Sequence, residues 1–323
     1  FILTYTCNFE CDHCFLYCSP RASGTFTIDQ VKTVLKEAKK IETVKTICFE
    51  GGESFLFYPI LLESVRSASR EGFTTAIETN TYWATTVEDA KLWLKPLQDA
   101  GLSFLEVSDD AFHHGEEISN SAKRAKAAAE ELGMKVNSIC IEKPKVSDID
   151  KQTKGKPIYL GGPKLRGRAV EKLTEGLPTQ SWKNFKECPF EDLRDPGRVH
   201  IDAYGTVHLC QGISMGNLFE TPLAELVRDH RAADHPICGP LVQGGPARLV
   251  EELGVEHEEE MVDECHLCFD ARRRLVDRFP EYAGSRECLY LPIDHAAVGS
   301  RTLYDIAREF AEQGGKLLCV DEI

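Results

Sequence analysis

The chain has 323 residues, of which 42% are hydrophobic and 28% are charged, a mixture typical of a globular protein with one large α/β domain and a smaller one. Lys and Arg number 38 and Asp and Glu number 52, and the formal net charge of −14 excludes a broad nucleic-acid or anionic-membrane surface. No apolar run approaches the roughly 18 residues of a membrane span.

The 13 cysteines are an odd number, several stand in closely spaced groups, and no secretion signal is visible. Disulfide frameworks belong mainly to small secreted domains. We therefore expect a cytoplasmic protein whose thiols serve metal or redox chemistry, with Cys48 and Cys140 as small buried residues within strands.

The first 142 residues show a pattern of alternating strands and helices. An apolar strand, "FILTY", leads into a loop with three cysteines. The segment "TIDQVKTVLKEAKKI" has apolar residues three and four positions apart, and Thr27 stands where a helix N-cap is expected. Further strands are predicted at "VKTICFE", "FTTAIETN", "LSFLEVSDD" and "MKVNSICI", and further helices near 57–71, 86–100 and 117–132. This alternation predicts a parallel sheet with right-handed crossovers.

Cysteines or polar motifs follow four of these strands. The cysteine loop follows the first strand, "GGE" the second, "ETN" the third and "SDD" the fourth. Catalytic groups in parallel sheets and barrels collect at the carboxyl ends of the strands, so we expect these motifs to meet in one site. The alternative for the last motif is a helix N-terminus capped by Asp109 or Asp110, with His113 and His114 as exposed loop residues.

The pattern changes at about residue 143. The polar stretch "EKPKVSDIDKQTKGKP" predicts a loop, and "YLGGPKLRGRAVEKL" predicts a last barrel strand, a turn and a helix. The segment "VHIDAYGTVHLC" predicts a hairpin that turns at Tyr204 and Gly205. The basic run "ARRRLVDR" is interpreted as a solvated helix face, and 281–323 as strand, helix and strand.

The loop "CNFECDHC" brings three thiols close together in sequence, at Cys7, Cys11 and Cys14. A tetrahedral zinc ion and a 4Fe-4S cluster each need four ligands. Three thiolates on a cluster leave one iron open, and an open metal position is typical of a catalytic site. The alternative is a zinc site that Cys18 or His13 completes.

The triad at the end of one strand, followed by "GGE" at the end of the next, resembles the radical S-adenosylmethionine (SAM) superfamily over about residues 1–175. The resemblance implies a partial (β/α)6 TIM-like barrel in which SAM binds the open iron of a 4Fe-4S cluster. It also implies that an external one-electron donor, such as flavodoxin or ferredoxin, drives cleavage of SAM to methionine and a 5′-deoxyadenosyl radical. That radical takes a hydrogen atom from the substrate.

By position, the resemblance makes Cys7, Cys11 and Cys14 the ligands of this cluster. His13 stands where the family usually has an aromatic residue near the adenine, and glycines in "GGE" allow close approach of the backbone to a ligand. The residues that the resemblance implies for SAM binding are His13, Gly51, Gly52, Glu53, Asn80, Ser108 and Arg168.

A second group of cysteines resembles the C-terminal auxiliary-cluster region of some radical SAM proteins. No cysteine occurs in the 19 residues after Cys268, which fits the shorter one-cluster twitch type better than the two-cluster SPASM type. The resemblance implies a second 4Fe-4S cluster bound by Cys188, Cys210, Cys265 and Cys268. Cys238 could replace Cys188 or remain free as a catalytic hydrogen-atom donor, and the four thiolates could instead bind structural zinc.

We therefore expect a radical SAM partial barrel over 1–178, a small cysteine-rich α+β auxiliary-cluster domain over 179–280 and a C-terminal tail over 281–323. The expected function is hydrogen-atom abstraction from a small-molecule or peptide substrate, with the auxiliary cluster taking an electron. The net reaction would be dehydrogenation, crosslinking or, with a free cysteine as donor, epimerisation. We expect no nucleic-acid or membrane partner, and the sequence, which begins at the barrel itself, favours work that does not depend on a leader peptide.

The alternative function is a non-catalytic iron–sulfur or zinc protein that senses redox state or scaffolds partners. It predicts no SAM cleavage. It also gives no reason for "GGE" and the other polar groups at strand ends.

Overall fold

The computed structural model describes residues 1–115, 119–147 and 158–290. Its first part alternates strands and helices, as expected. The strands are β1 (Ile2–Thr4), β2 (Thr46–Gly51), β3 (Thr74–Thr79), β4 (Phe104–Ser108) and β5 (Lys135–Ile139). The helices are α1 (Ile28–Ala38), α2 (Tyr58–Arg70), α3 (Val87–Asp99), the short α4 (Ala111–His114) and α5 (Ser121–Glu131).

The helices begin where the sequence offers a cap. Thr27 Oγ1 accepts a hydrogen bond from the backbone N–H of Gln30, and the Thr27 N–H donates to Gln30 Oε1, which completes a capping box. Thr86 caps α3, and Asn120 caps α5. The four longer helices, α1, α2, α3 and α5, each turn a buried face toward the sheet, which for α1 consists of Val31, Val34, Leu35 and Ala38.

The main sheet is parallel, with the order β1-β2-β3-β4-β5 among the described residues. The predicted α/β fold is therefore confirmed, with five parallel strands. The predicted sixth strand is a correction: β7 (Ile158–Leu160) pairs antiparallel with β6 (Lys145–Ser147), which lies in a stretch predicted as loop. An antiparallel pair needs no crossover helix, and the stretch before β7 carries no helical apolar stripe.

The second part of the chain is built around small antiparallel sheets. Its strands are β8 (Gln180–Ser181), β9 (His200–Ile201), β10 (Thr206–Cys210), β11 (Ile213–Asn217) and β12 (Glu260–Met261). Its helices are α6 (Arg168–Leu173), α7 (Leu223–Asp229), α8 (Cys238–Leu253) and α9 (Glu264–Leu275). The predicted hairpin at Tyr204 and Gly205 is confirmed, because β9 and β10 pair antiparallel across it. A third strand, β11, follows on the other side of β10.

The described residues after 280 depart from the predicted strand. They form two short helices, α10 (Pro280–Ala283) and α11 (Arg286–Leu289), and the fully buried Tyr290 follows them. The rest of the predicted strand, helix and strand lies outside the described residues. The three predicted domain boundaries remain predictions.

Two hydrophobic cores hold these parts together. The first lies between the parallel sheet and its helices and also takes in Ile201, Ala203 and Val207 of the hairpin. The second lies among α8, α9 and β10–β11 and includes Cys210 and Cys238. An isolated bridge between Ile2 and Asp202 places the hairpin beside β1. No described helix has both the length and the apolar character that a bilayer span requires.

Candidate active site

The cysteine loop is held by backbone hydrogen bonds and by one arginine. The Cys7 N–H donates to Ser19 O at 3.0 Å, and the Cys14 N–H donates to Cys11 O at 3.1 Å. Arg168 donates from Nη1 to Cys11 O at 3.0 Å and from Nη2 to Cys18 O at 2.8 Å. The guanidinium thus fixes the carbonyls of the loop, so the structure gives Arg168 a positioning contact, and its predicted contact with SAM stays a prediction.

The thiols of the triad are largely buried. Burial raises the pKa of Cys7 and of Cys11 to about 12, so both thiols stay protonated until a cation favours the thiolate. Iron binding must therefore release protons at neutral pH. The Cys14 thiol interacts with Cys18, which is buried as well, and this contact lowers the pKa of Cys14 to about 6.

The motif "GGE" packs directly against β1 and the cysteine loop. Gly52 donates its N–H to Thr4 O at 2.7 Å, and Glu53 donates its N–H to Thr6 O at 2.9 Å. A Cβ atom on Gly51 would lie 2.3 Å from Thr4 O, and one on Gly52 would lie 2.2 Å from Thr6 O. Only glycine fits this approach, and Gly51 also has a φ of +145°.

The Glu53 carboxylate joins three of the predicted strand ends. It is fully buried and accepts hydrogen bonds from the Thr79 hydroxyl at 2.9 Å and from the Asn80 N–H at 2.7 Å. These hydrogen bonds lower the pKa of Glu53, but burial has the larger effect and raises the pKa to about 7. Asn80 in turn donates from Nδ2 to Asn8 Oδ1 at 2.9 Å and lies 3.7 Å from Cys7 Sγ. The ends of β1, β2 and β3 therefore meet, as expected.

The end of β4 adds an aromatic and polar group. Asp110 caps α4, as the alternative for "SDD" predicted, and its Oδ1 lies 2.8 Å from His113 Nδ1. The buried His13 ring stacks on Phe112 with centroids 4.4 Å apart and meets His113 edge-on at 4.9 Å. Among the described residues, donor atoms of His13, Asp110 and His113 form the only group of three metal-binding side chains within 4.8 Å of one another.

His13 has free hydrogen-bonding capacity at this place. Its Nδ1 is buried and has no partner, and burial lowers its pKa to about 4, so the ring is neutral at physiological pH. An unpartnered buried ring nitrogen between Cys11 and Cys14 of the cysteine loop fits a polar ligand such as the adenosyl group of SAM. The Ser108 carbonyl accepts from His114 Nε2 at 2.8 Å, and both histidines lie on α4 rather than in an exposed loop.

The four predicted auxiliary cysteines also meet. Cys188, Cys210, Cys265 and Cys268 line one cavity. Cys238 does not line that cavity; it is completely buried next to it, and burial raises the pKa of its thiol, as do the nearby Cys210 and Cys268.

Two arginines reach into this cavity, and the sequence interpretation missed both. Arg166 donates from Nη1 to Cys210 Sγ at 2.7 Å, and Arg272 lines the same cavity as Cys268. The interpretation of "ARRRLVDR" as a solvated face is therefore wrong for Arg272, which is 3% exposed. A usable signal was present, because Cys265, Cys268 and Arg272 stand three and four positions apart on one face of α9.

The prediction that Cys140 is buried within a strand is also wrong. This cysteine follows β5 instead of lying inside it and is exposed, whereas Cys48 lies within β2 and is half-buried. The edge strand β5 has a polar, largely exposed pattern, so a residue at its end is not covered.

A row of carboxylates lies on the face of the sheet that is turned away from the helices. Ile47, Phe49, Ile77 and Leu105 face the helices and are buried, while the alternate side chains face away from them. Glu78 pairs in register with Glu106, and Glu50 follows the pair of Phe49 and Ile77. We call Glu50, Glu78 and Glu106 the glutamate row.

The glutamate row is coupled to the second part of the chain through His200. Glu50 Oε1 is in short contact with His200 Nδ1, and Gln211 Nε2 lies 3.3 Å from His200 Nε2. Burial alone would raise the pKa of Glu50, but His200 holds it below the ordinary value. Burial and the neighbouring carboxylates Glu50 and Glu106 raise the pKa of Glu78 to about 8.

We expect the raised pKa of Glu78 to make the free energy of unfolding fall as pH rises. Its pKa in the folded state, about 8, lies above the ordinary value of 4.5, so folding takes up a proton between these values. The free energy of unfolding should therefore fall by on the order of 3 kcal/mol from about pH 5 to about pH 8. Thermal unfolding under anaerobic conditions tests this, with Glu78→Gln expected to flatten the dependence and the exposed Glu130→Gln to leave it unchanged. An identical slope in wild type and Glu78→Gln would contradict the prediction.

We expect Arg168→Met to loosen the cysteine loop. The substitution removes two charge-assisted hydrogen bonds to carbonyls of the loop, each worth about 1.5–3 kcal/mol. Iron bound by the triad should then pass to a chelator at least ~10-fold faster, which the absorbance of the iron–chelator complex measures. Arg70→Met, at an exposed residue in the last turn of α2, serves as the control. Equal rates in both variants would remove the positioning role.

The chain is similar in sequence to one family of known proteins and to an individual relative. The family model described as the Radical SAM superfamily matches residues 1–139. YydG of Bacillus subtilis (strain 168), provisionally named a peptide biosynthesis protein, is 26% identical over 255 residues, which are 78% of this chain and 72% of that protein.

Two solved structures are similar at 14% identity. The crystal structure of BtrN in complex with AdoMet and 2-DOIA has a TM-score of 0.44, covering 94% of both chains. The structure of BtrN in an open conformation has a TM-score of 0.42, covering 83% of this chain and 88% of that chain. The cysteine triad and the glycines of "GGE" both lie within residues 1–139, and this part of the chain matches the radical SAM superfamily of enzymes.

Proposed function

We propose that the protein modifies a peptide by radical chemistry with two 4Fe-4S clusters. The first would be held by Cys7, Cys11 and Cys14 and would bind SAM, and the second would be held by Cys188, Cys210, Cys265 and Cys268. The observation that carries the second site is one cavity lined by four thiols and two buried guanidinium groups. The auxiliary region corresponds to the twitch type in this proposal.

The bound groups supply the redox chemistry: the first cluster with SAM gives a 5′-deoxyadenosyl radical, and the second cluster offers an acceptor for one electron. The residues of the chain bind and orient. Gly51 and Gly52 let "GGE" pack against the backbone of Thr4 and Thr6, and Glu53 ties β2 to Asn80 and so to the cysteine loop. The unpartnered His13 Nδ1 is available to the nucleoside.

The spacing of the auxiliary thiols favours a cluster over zinc. In a tetrahedral zinc site, Zn–S bonds of about 2.3 Å bring the sulfurs to within about 4 Å of one another. No three of these four thiol sulfurs, all of them in the described part of the chain, lie mutually within 4.8 Å. Thiolates on a cubane stand farther apart, because each one binds a different iron.

A peptide substrate is supported by the likeness to YydG, and the glutamate row offers polar groups near "GGE". The glutamate row lies on the face of the sheet that is turned away from the helices, and Glu50 directly precedes the glycines of "GGE". The contact between Glu50 and His200 gives this face a pair that can accept a proton from the substrate. Loss of a hydrogen atom, a proton and an electron then amounts to a two-electron oxidation, as in dehydrogenation or crosslinking.

Epimerisation is the second candidate, and Cys238 is the observation that favours it. Five thiols surround the auxiliary site, and four ligands suffice for a cubane. Cys238 is therefore a spare thiol that could return a hydrogen atom to a substrate radical, leaving the mass of the product unchanged. Its complete burial opposes direct contact with a substrate, so we favour oxidation. An external electron donor and a cytoplasmic location complete the proposal.

The experiment is anaerobic reconstitution with iron and sulfide, followed by assay with SAM, dithionite and a set of peptides in D2O. We expect about eight iron atoms per chain, 5′-deoxyadenosine as a product, and at least one peptide that accelerates its formation. Loss of the mass of two hydrogens from that peptide supports oxidation, whereas gain of one deuterium supports epimerisation. Zinc in place of iron at the second site would contradict the two-cluster proposal.

A further inference from the structure

Two guanidinium groups lie in the cavity of the second thiol group. Arg166 Nη1 lies 2.7 Å from Cys210 Sγ, and Arg272 lines the cavity together with Cys268. Both arginines are buried, at 6% and 3% exposure. Arg166 and Arg272 therefore belong to the immediate surroundings of whatever the four cysteines bind.

The charge of Arg272 has no carboxylate to balance it within the described ranges. Its Nη1 donates to Gln211 O at 2.8 Å and to the Tyr290 hydroxyl at 3.2 Å, both neutral groups, and its Nε is buried without a partner. The ring of Phe269 lies beside the same guanidinium. A buried cation costs several kcal/mol unless an anion accompanies it.

The charge of Arg166 is also poorly balanced by carboxylates. Its nearest carboxylate oxygen, on Glu191, is 3.8 Å away and is shared with Lys164 and Arg198. Its Nε is buried and unpartnered. The two guanidinium groups together therefore require an anionic group in the cavity, and a cubane with four thiolate ligands carries net negative charge.

We propose that Arg166 and Arg272 are positioning residues that raise the reduction potential of the second cluster through the N–H···S hydrogen bond of Arg166 and through the positive charge of both. This inference rests on the proposed second cluster. Hydrogen bonds to sulfur and local charge are among the features that set the potential of iron–sulfur clusters. Adding one electron makes the cluster more negative, so nearby cations stabilise the reduced state more than the oxidised state.

The raised potential would favour electron transfer from the substrate radical to the second cluster. A raised potential makes the second cluster a better acceptor of the one electron that a substrate radical releases. Arg272 is also linked to the glutamate row, because it donates to the Gln211 carbonyl and the Gln211 side chain contacts His200. The acceptor and the proton-accepting pair of Glu50 and His200 are thus joined by one run of hydrogen bonds.

The test uses the full chain in which Cys7, Cys11 and Cys14 are alanine, which we call the parent variant, so that only the second cluster gives a signal. Its midpoint is measured by stepwise reduction with dithionite, monitored by electron paramagnetic resonance. In the parent background, Arg272→Met should raise the oxidised-to-reduced ratio at the parent midpoint about tenfold or more, and tenfold is about 59 mV for one electron. Arg274→Met, at an exposed arginine of the same helix, should leave the ratio unchanged.

A lysine variant separates charge from structure. Arg272→Lys keeps the charge and should recover part of the ratio, and Arg166→Gln should shift it in the same direction as Arg272→Met. If Arg272→Met fails to retain iron, the Arg272→Lys and Arg166→Gln variants decide the matter. Midpoints equal to that of the parent in the loaded variants overturn the inference.

Loss of iron has two distinct meanings. Iron missing from every Arg166 and Arg272 variant, with Arg274→Met fully loaded, would make the arginines supports of the site and overturn their role in the potential. Iron missing from the parent variant itself would instead contradict the proposed second cluster.

Discussion

The triple variant Cys7→Ala, Cys11→Ala and Cys14→Ala should form no 5′-deoxyadenosine, and its iron content should fall from about eight to about four atoms per chain. The three thiols lie in one loop and are the ligands that the family resemblance assigns to the cluster that binds SAM. Without them neither the cluster nor its open iron can form. Iron is counted colorimetrically after anaerobic reconstitution, and 5′-deoxyadenosine is quantified by chromatography with dithionite as reductant.

The matched control is Cys140→Ala, because this cysteine is exposed and lies away from both thiol groups in sequence. It should keep the full iron content and the full rate of SAM cleavage. A fall from about four iron atoms to none, with zinc retained, would reduce the second group to a structural zinc site. Iron absent from the wild type as well would contradict the iron–sulfur assignment altogether.

Gly52→Ala should lose SAM affinity by about 5- to 150-fold while keeping the cluster, since a strain of about 1–3 kcal/mol corresponds to a change of that size. The new Cβ atom would lie 2.2 Å from the Thr6 carbonyl oxygen and 2.6 Å from its carbon. Both are backbone atoms of the segment that leads into the cysteine loop, so the two segments must separate. Binding of SAM to the anaerobic protein is measured by equilibrium dialysis, with iron counted in the same samples.

Gly197→Ala is the matched control for this substitution. No atom lies within 4 Å of a Cβ at Gly197, and its φ is not in the left-handed region. We expect wild-type affinity for SAM in this variant. Wild-type affinity in Gly52→Ala as well would show that the close approach of "GGE" to β1 is not needed for binding.

The elements that the sequence predicted well are those whose signals are local. Thr27 was identified as an N-cap because a hydroxyl before an apolar stripe satisfies free N–H groups of the first turn, and the structure shows that hydrogen bond. The strands before the cysteine loop, "GGE", "ETN" and "SDD" were predicted from short apolar runs. Their convergence followed from the topology of parallel strands, whose carboxyl ends share one edge.

The roles of the arginines were not visible in the same way. The contact of Arg168 with SAM stays a prediction, but its hydrogen bonds to the carbonyls of Cys11 and Cys18, 157 and 150 residues earlier in the chain, were not foreseen. Arg272 was assigned to a solvated face because it stands in a basic run. A charged residue in a run is exposed or buried according to what packs on its helix, which composition does not record.

The sequence by itself determined the chemistry that is available: which thiols stand close together, which glycines can approach a ligand, and where strands end. The tertiary structure alone decided which distant groups meet, such as Arg166 with Cys210 and His200 with Glu50. It also decided that the segment after β5 forms a hairpin instead of a sixth parallel strand. The reason is physical: caps, turns and strand patterns depend on neighbours along the chain, whereas the burial and partners of a charge depend on long-range packing.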